Sequence, residues 1–407
     1  MLSRIAALIA ILICTSIAWA ILGGTIFSRT YNFDPALKNK VESSWGSPQK
    51  QPPPAASCAY LVDNKIKTIE DGKSVEKITQ VTAYAPLPLE SSKIDVALDL
   101  EHRQKGLLWY STYKSAFSGT YQFRNNTTEI RTVAFVWTFP AEKALYDDLS
   151  LSIDGRTVQY TTDKSVISAE TKVAPNDLAT MKVSYRSQGL DTWQYNFGGD
   201  VAQVRDFSLR MVTNFHDIDF PENTLSPTEK HPAGDGWELI WRYKNLVSGY
   251  NIAMAMPAKV QPGPLAGQIS FFAPVSLLFF FFVVFIITTL RRIDLHPMNY
   301  FFLATAFFAF HLLLAYLVDH VSIHVAFVIC SVVSIGLVVS YLRLVVGIKF
   351  AAREAGIAQF LYLVLFSYAF FFKGFTGLAV TVGAILTLFV VMQATGRLKW
   401  SEFKNQA

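Results

Sequence analysis

The sequence predicts an α+β membrane protein with an N-terminal transmembrane helix, a large antiparallel β-rich external domain and a C-terminal bundle of five transmembrane helices. Three observations predict this fold class. Apolar stretches of about 20 residues, the length that crosses ~30 Å of hydrocarbon, occur at the start and repeatedly after residue 268. Residues 28–268 carry 26 basic and 27 acidic side chains, whereas the other 166 positions hold only 14 charges. The charged region also alternates apolar and polar residues with a period of two, which indicates β-strands.

The first element is an apolar run from Ile5 to Phe27, which we interpret as an anchor helix over residues 1–27. A cleaved signal peptide is the alternative, because an Ala-Trp-Ala sequence inside the run resembles a cleavage site. The run continues past that sequence and exceeds the ~7 to 15 residues of a signal-peptide core, which favours the anchor. Residues 28–64 contain a proline run without periodicity, so we expect a linker or extended arm there.

The next element is the external domain, residues 65–268. In residues 131–139, alternate apolar positions predict a half-buried strand that ends at Pro140. An Asp154-Gly155 pair between alternating runs predicts a tight hairpin. Cys58 is the only cysteine outside the apolar stretches, so the core must form without an intramolecular disulfide. Many short strands with turn chemistry between them indicate a β-sandwich or a large curved sheet.

Five further spans are predicted after the external domain, with connections too short to hold domains. Basic residues follow the second, fourth and sixth spans of the chain, whereas the turns around Asp319 and Lys373 carry one basic residue between them. By the positive-inside rule, both termini are cytoplasmic, residues 396–407 form a cytoplasmic tail, and the β-rich domain is periplasmic. The five spans are residues 269–290, 298–318, 321–342, 356–372 and 375–395.

The external domain offers no recognisable catalytic motif. It has no nucleophile elbow, no phosphate-binding glycine loop and no paired-histidine zinc helix. His216, Asp217, Asp219 and Glu222 lie close in sequence and have the residue types of a hydrolytic metal site, but their spacing is more typical of a solvated loop. The near balance of charge argues against nucleic-acid binding. We therefore predict no cofactor, assign no metal site and favour a non-enzymatic protein.

Ionisable groups in the membrane half are the strongest candidates for a functional site, because such groups are costly in hydrocarbon and tend to face a bundle interior. His311 lies within the third span, and Asp319 follows on the same broad helical face. His320 and His324 lie at the start of the fourth span. These four residues form either a proton or solute pathway, a metal site, or a set of structural and interfacial side chains.

Three further polar residues are secondary candidates in this half. His296 precedes the proline that begins the third span, where proline is favoured at the first helical turn. Gln359 and Tyr362 lie in the fifth span and have side chains that can form hydrogen bonds between helices. Both packing and functional roles remain open for all three residues.

The order of these elements, together with several local motifs, resembles the CreD family of bacterial inner-membrane proteins. The most specific stretch is DLHPMNYFFLATAFFAFHLLLAYLVDH, from Asp294 to His320. PGPLAGQISFFAPVSLLFFF, SSWGSPQ and RQKGLLWYSTYKSAFSGTY support it, although KQPPPAAS replaces the Gly-Pro and strand expected after WGSPQ. The resemblance implies an inner-membrane protein associated with envelope stress and colicin tolerance. It brings no established activity or catalytic residue set.

Two functional hypotheses follow. In the first, the chain is a non-enzymatic envelope protein whose periplasmic domain binds a protein, glycan or lipid partner and whose helices anchor it in the lipid bilayer. In the second, it is a membrane transporter or a membrane-embedded metal-dependent enzyme that uses His311, Asp319, His320 and His324. The second hypothesis requires those four side chains to converge.

Overall fold

The computed structural model describes residues 2–70, 73–105, 108–197, 202–372 and 374–396. The chain divides into two compact units. The helical unit comprises Met1–Leu37, Gln104–Leu108 and Val260–Ala407, and the β-rich unit comprises Lys38–Arg103 and Trp109–Lys259. The β-rich region and the apolar helices confirm the predicted α+β membrane fold. The predicted cytoplasmic tail, apart from residue 396, lies outside the described residues.

The strands of the β-rich region form three sheets of three, five and eight strands. Their spatial orders are β1-β12-β16, β3-β2-β6-β10-β9 and β14-β15-β13-β4-β5-β11-β7-β8 in the numbering that follows. The strands are β1 (Gln49–Gln51), β2 (Ala55–Glu70), β3 (Lys73–Pro86), β4 (Leu89–Lys105), β5 (Leu108–Arg124), β6 (Arg131–Thr138), β7 (Tyr146–Ile153), β8 (Arg156–Thr157), β9 (Thr161–Asp163), β10 (Val166–Val173), β11 (Leu178–Leu190), β12 (Thr192–Tyr195), β13 (Ala202–Thr213), β14 (Glu229–Ala233), β15 (Gly236–Ser248) and β16 (Ile252–Ala255).

Two strand pairs depart from the predicted antiparallel arrangement. β1 pairs with β12 in parallel, and β4 pairs with β13 in parallel. Parallel neighbours need a long connection, and here each pair is joined through several intervening strands. Local alternation and turn residues reveal sequential hairpins, but they carry no information about such distant partners.

The core of the β-rich unit consists of the inward-facing residues of these strands. On β6, Val133, Phe135 and Trp137 are fully buried and alternate with more exposed residues, as the period-two pattern predicts. Trp193 and Trp241 are fully buried on two other strands. Each large apolar side chain removed from water contributes about 1.5–3 kcal/mol, and Cys58 is a free buried thiol. Aromatic burial therefore holds the described core together without a disulfide.

The predicted hairpin at Asp154-Gly155 is confirmed. β7 pairs with β8 through Ile153 and Arg156, and the two turn residues have φ values of 51° and 74°. Both lie in the left-handed region, which glycine and aspartate reach at lower cost than most residues. The Asp154 side chain also accepts a hydrogen bond of 2.7 Å from the Thr180 backbone N–H, which ties the turn to β11.

The predicted linker over residues 28–64 is corrected by the structure. Helix α1 runs from Leu2 to Trp45 and contains Pro35, and β1 and β2 follow, so only short stretches of the predicted linker lack regular structure. The SPQ motif ends in β1, where Gln49 and Gln51 are completely buried. Gln49 Nε2 donates to Ser187 Oγ at 2.8 Å, and the Tyr185 hydroxyl donates to Gln51 Oε1 at 2.9 Å. In the sequence these glutamines resemble linker residues, because their hydrogen-bond partners lie more than 100 positions away.

The helical unit contains the first part of α1 and five further helices. Among the described residues, six helices are long and apolar enough to cross a membrane. The helix at the fifth position begins at Ile348, earlier than the predicted 356, because Glu354 is paired with Arg291 at 2.6 Å and is tolerated inside the helix. The five helices are α2 (Pro262–Leu290), α3 (Pro297–Leu317), α4 (Ile323–Val345), α5 (Ile348–Phe371) and α6 (Thr376–Thr395).

Helix α5 is not a regular α-helix. Ala351–Ala355 and Phe360–Leu365 adopt π-helical hydrogen bonding, and Ala369–Phe371 ends the helix as a 3₁₀ turn. Segments of π-helix are rare and occur frequently at functional sites. Because of these segments, α5 is the least regular of the described helices in the helical unit.

Candidate functional site

His311 lies on α3 and is completely buried. Its ring packs edge-to-face on Trp19 of α1 with a centroid distance of 5.5 Å, and on Phe310 at 5.0 Å. Phe307 stacks on it at 6.0 Å. The sequence placed His311 in a bundle interior, and the structure shows an aromatic enclosure formed by α1 and α3. Because α1 is distant in sequence, its tryptophan could not be identified as the neighbour in advance.

The polar atoms of this pair are incompletely satisfied. His311 Nδ1 lies 3.2 Å from the Phe307 carbonyl oxygen, one helical turn earlier. His311 Nε2 and Trp19 Nε1 are both buried, and neither has a hydrogen-bond partner in the part of the chain that the structure describes. If Nδ1 carries the proton and donates to the carbonyl, Nε2 is an acceptor beside an unused indole donor. A buried polar atom without a partner costs about 1–3 kcal/mol, so apolar packing alone does not account for a histidine at this position.

Asp319 lies two turns beyond His311 and faces α1 as well. Its Oδ2 accepts a hydrogen bond of 2.8 Å from Arg29 Nη2, and the Arg29 guanidinium carbon lies 5.6 Å from the Tyr316 ring centroid. Between α1 and α3 is a cavity of about 370 Å³. It is lined by Leu22, Thr25, Ile26, Ser28, Arg29, Ala315 and Tyr316.

This cavity and its charged mouth form the α1–α3 cleft. Leu22 and Ala315 lie one helical turn from Trp19 and His311 respectively, so the cleft approaches the buried pair from the side of the Arg29–Asp319 ion pair. His311 and Asp319 thus both contact α1, and the charge of Asp319 is compensated by Arg29. The arrangement could admit water or a small polar solute towards His311.

The other two predicted histidines do not join this cleft. The His324 ring packs on Phe371 of α5 with a centroid distance of 5.0 Å, and His320 is exposed at the turn between α3 and α4. Within the described residues, no group of three or more His, Cys, Asp or Glu side chains is placed to hold a metal ion. The four candidates therefore divide into two residues that contact α1, the buried His311 and the exposed Asp319, and two separate peripheral histidines.

The secondary candidates occupy three different places. His296 is exposed and caps α3, with Nδ1 accepting a hydrogen bond of 3.2 Å from the Met298 N–H. Gln359 is fully buried and donates from Nε2 to Ser334 Oγ at 2.9 Å, while its Oε1 has no partner among the described residues. The Tyr362 hydroxyl lies 2.9 Å from Thr387 Oγ1 and joins α5 to α6. Two of the three therefore connect helices, and one begins a helix.

In the β-rich unit, His216 contacts an aromatic ring, whereas Asp217, Asp219 and Glu222 are exposed. The His216 ring packs edge-to-face on Trp237 at 5.8 Å, and the Trp237 indole N–H donates to the His216 carbonyl at 3.0 Å. Burial raises the pKa of Tyr113 and Tyr185 well above the usual phenol value, so both remain neutral hydrogen-bond donors in the core.

Sequence reasoning missed one exposed feature of the β-rich unit, the hairpin of β2 and β3. We call the segments 59–64 and 79–85 the apolar ribbon. Most of its side chains are exposed, including five large apolar ones, of which Leu61 and Tyr84 are each 64% exposed. Tyr60, Leu61 and Val62 are consecutive, so apolar residues occupy both faces of the strand. The other exposed large apolar residues of the ribbon are Tyr60, Val62 and Val81.

These features define an integral membrane protein that combines a β-rich region with a multi-helix membrane region. Residues 269–401 match the model of the family described as Inner membrane protein CreD. This match over the helical region confirms the predicted resemblance. That family is described as one of inner membrane proteins, and the apolar helices of this chain are consistent with a membrane location. No protein of curated function matches it.

Comparison with solved structures gives three weak similarities. A protein provisionally named as nutrient binding, from Legionella pneumophila, has 9% identity and a TM-score of 0.32, with 48% of this chain and 74% of that one covered. An M1 zinc metallopeptidase from Deinococcus radiodurans has 10% identity and a TM-score of 0.25, with coverage of 41% and 42%. Yeast LTA4 hydrolase has 9% identity and a TM-score of 0.21, with coverage of 47% and 35%. The chain thus spans less than half the length of the two enzymes, and similarity at this level bears on neither fold nor activity.

Proposed function

We propose that this CreD-like protein is a non-enzymatic component of the bacterial envelope that binds a partner through its β-rich unit, with a role in envelope integrity and stress response. The observation that supports the proposal most directly is the apolar ribbon. Soluble surfaces tolerate isolated apolar residues, whereas a contiguous exposed patch indicates an interaction site. Tyr60, Leu61, Val62, Val81 and Tyr84 form such a group on one hairpin.

The pairing pattern strengthens this interpretation. In the described residues, β2 pairs with β6 only from Ala55 to Cys58, so the hairpin beyond Cys58 consists of two strands alone. Two-stranded hairpins are marginally stable in water unless something packs on them. β3 is also the edge of its five-stranded sheet and offers unpaired backbone groups along its outer side.

A partner that adds an extended polypeptide segment to β3 fits these properties. Strand addition supplies backbone hydrogen bonds along an edge, and alternating side chains of the added strand contact exposed apolar residues. Val62 and Val81 are directly opposite in the β2–β3 register, so one face of an added segment would meet a continuous apolar surface there. The partner class is therefore a protein with an apolar extended segment.

Site-specific photocrosslinking in intact cells tests the proposal. A photoreactive residue at position 84 is expected to give one discrete adduct, whereas the same residue at position 247 gives none. Val247 is the matched control because it is 65% exposed and lies on β15, away from the ribbon. The adduct should disappear with Leu61→Asp and persist with Val247→Asp. Equal, diffuse labelling from both positions would remove the support for a ribbon partner.

The domain assignment and the orientation belong to the same proposal: residues 65–268 are periplasmic, and both termini are cytoplasmic. The supporting observation is the basic character of the chain around Arg291, Arg292, Arg343, Lys349 and Arg353, which flank the ends of the second, fourth and fifth helices. Reporter fusions test it. A periplasm-dependent phosphatase fused after residue 250 should be active, and one fused after residue 347 should be inactive. The reverse result would invert the topology.

A second candidate function is a proton or solute pathway through the α1–α3 cleft. It is favoured by the 370 Å³ cavity, the Arg29–Asp319 pair at its mouth and the unpartnered Nε2 of His311 near its inner end. His311→Leu and Asp319→Asn should each abolish an envelope phenotype that depends on such a pathway. Retention of the wild-type phenotype at normal expression by both variants would leave the pathway without support.

A further inference from the structure

A second cavity lies in the helical unit between α2, α5 and α6. Its volume is about 740 Å³, within the range of small-molecule sites. Along α6 it extends from Ala379 to Ala394, which at 1.5 Å per residue is roughly 22 Å. This exceeds the ~15 Å of one leaflet, half of the hydrocarbon thickness. We call this space the α6 groove.

The walls of the α6 groove are apolar because its polar side chains satisfy one another. Tyr362 and Thr387 line it, and their hydroxyl oxygens are 2.9 Å apart. Thr387 is the one buried residue in the described part of α6, so this helix packs loosely on its neighbours. At Gly383 it approaches the Phe366 ring so closely that an added Cβ would lie 2.7 Å from Cε1. The close contact between Gly383 and Phe366, together with loose packing along the rest of α6, leaves an elongated slot beside this helix.

One end of the groove is charged, and the charge is positive. Arg353 and Glu354 both line this end. Glu354 Oε1 is 2.6 Å from Arg291 Nη2, so its carboxylate is neutralised by a residue of α2. Arg353 is exposed and has no ion-pair partner among the described residues. The net charge of these three side chains is +1, which is complementary to a phosphate.

We propose that the α6 groove binds one glycerophospholipid of the surrounding bilayer, with an acyl chain in the slot and the phosphate on Arg353. Apolar walls alone do not select a lipid, because lipid tails are as apolar as the side chains that they cover. Selective retention must therefore come from the shape of the slot and from a charge-assisted hydrogen bond to the phosphate. An arginine guanidinium is well suited to phosphate, since its planar donors can engage two oxygens.

Native mass spectrometry of the full-length protein released from nanodiscs tests this proposal. The nanodiscs contain phosphatidylethanolamine and phosphatidylglycerol in equal amounts. We expect one phospholipid per chain to remain at an activation energy that removes all others. Loss of a charge-assisted hydrogen bond should lower that retained fraction roughly tenfold or more in Arg353→Gln. Arg343→Gln is the control, since Arg343 is an exposed basic residue in the last turn of α4 and does not line the groove.

A second pair of variants tests the slot itself. Val382→Phe fills the groove and should also lower retention, whereas Val333→Phe should not. The two valines are 48% and 40% exposed, and only Val382 lines the groove. A wild-type chain that loses every lipid, or an adduct with the mass of detergent alone, would overturn the proposal. Equal losses of the retained phospholipid in Arg353→Gln and Arg343→Gln would also overturn it. This comparison of the two arginine variants remains decisive if Val382→Phe fails to fold.

Discussion

The two units of this protein bury polar atoms of different kinds. In the β-rich unit, buried amides are well paired: Asn125 Nδ2 donates to the carbonyls of Val173 and Ala174 at 3.1 and 3.0 Å. The buried polar atoms left without a partner there are mostly on the rims of aromatic rings, such as Trp137 Nε1 and Trp193 Nε1. In the described helical unit, the buried polar atoms without a partner include a histidine nitrogen, a carboxylate oxygen and an amide oxygen, besides the Trp19 indole nitrogen and the Ser276 hydroxyl.

This difference distinguishes polar atoms left unpaired as a result of packing from polar atoms that packing does not explain. An indole N–H without a partner accompanies a large gain in apolar burial, so it is a tolerable side effect of filling a core. An imidazole or carboxylate atom without a partner brings little apolar burial and costs more to desolvate. Among the described residues, His311, Glu354 and Gln359 therefore each retain a buried polar atom that apolar packing does not explain.

The largest effect is expected in the aromatic core of the β-rich unit. Trp137 is completely buried and packs on Phe139 and Tyr185 with centroid distances of 4.9 and 5.5 Å. Trp137→Ala should lower the free energy of unfolding by about 3–5 kcal/mol. Limited proteolysis of the full chain in detergent should then cut the β-rich unit preferentially. Val247→Ala, at an exposed position, should change stability by less than about 0.5 kcal/mol.

A smaller loss is expected from one added methyl group in the same unit. A Cβ at Gly189 would lie 2.3 Å from the Tyr113 hydroxyl oxygen, which is held by a 2.8 Å hydrogen bond to the Thr192 carbonyl. Gly189→Ala should therefore cost about 1–3 kcal/mol through overpacking. In the helical unit, Gly377→Ala meets no atom within 4 Å and should be stabilising by roughly 0.5–1 kcal/mol. Thermal unfolding curves of the two variants should shift in opposite directions.

Replacement of His311 distinguishes the two kinds of buried polar atom most directly. His311→Leu removes an unpartnered nitrogen and should leave the melting temperature unchanged or raise stability by about 1 kcal/mol. Ser334→Ala should do the opposite, because Ser334 Oγ donates to the Ala306 carbonyl at 2.7 Å and accepts from Gln359. A marked destabilisation by His311→Leu would show that His311 is required for packing, and the comparison between the units would fail.

The smallest effect concerns pH and the surface of the β-rich unit. The hydrogen bond from Lys114, assisted by Arg103, lowers the pKa of Glu101 below its ordinary value. The unfolded chain therefore binds this proton more readily, so the stabilising contribution is present above the ordinary glutamate pKa of ~4.3 and is lost as pH falls towards the folded-state pKa. Because these side chains are largely exposed, the contribution is about 0.2–1 kcal/mol. Denaturant midpoints of Glu101→Gln should differ from those of the wild type at pH 7 and converge with them at pH 3.

Local patterns predicted much of the fold. Alternation identified β6, the Asp154-Gly155 pair identified the β7–β8 turn, and runs of apolar residues identified the membrane helices. The apolar ribbon was missed although its signal was present, since Asp71-Gly72 separates two apolar-polar runs in the sequence. Aromatic residues on strands are often buried, so Tyr60 and Tyr84 do not by themselves indicate an exposed surface.

The candidate site could be predicted only in part, because its remaining components are tertiary. The ion pair between Arg29 and Asp319 joins positions 290 residues apart. Likewise, nothing in the sequence links Trp19 to His311, or Arg291 to Glu354. A histidine in an apolar span indicates an interior position. Its neighbours, and whether they satisfy its nitrogens, depend on how helices pack, which residue periodicity does not encode.

The burial of β1 also has a consequence for biosynthesis. Gln49 emerges early from the ribosome, but its partner Ser187 lies 138 residues later. At the usual ~5–20 residues per second, the first segment of the β-rich unit must wait roughly 7–28 s before the strand that covers it exists. During that interval its glutamines remain hydrated and the edge of the future sheet is open. The first strand of the β-rich unit is thus completed only after β11 and β12 have been synthesised, which leaves a defined interval for chaperones to act.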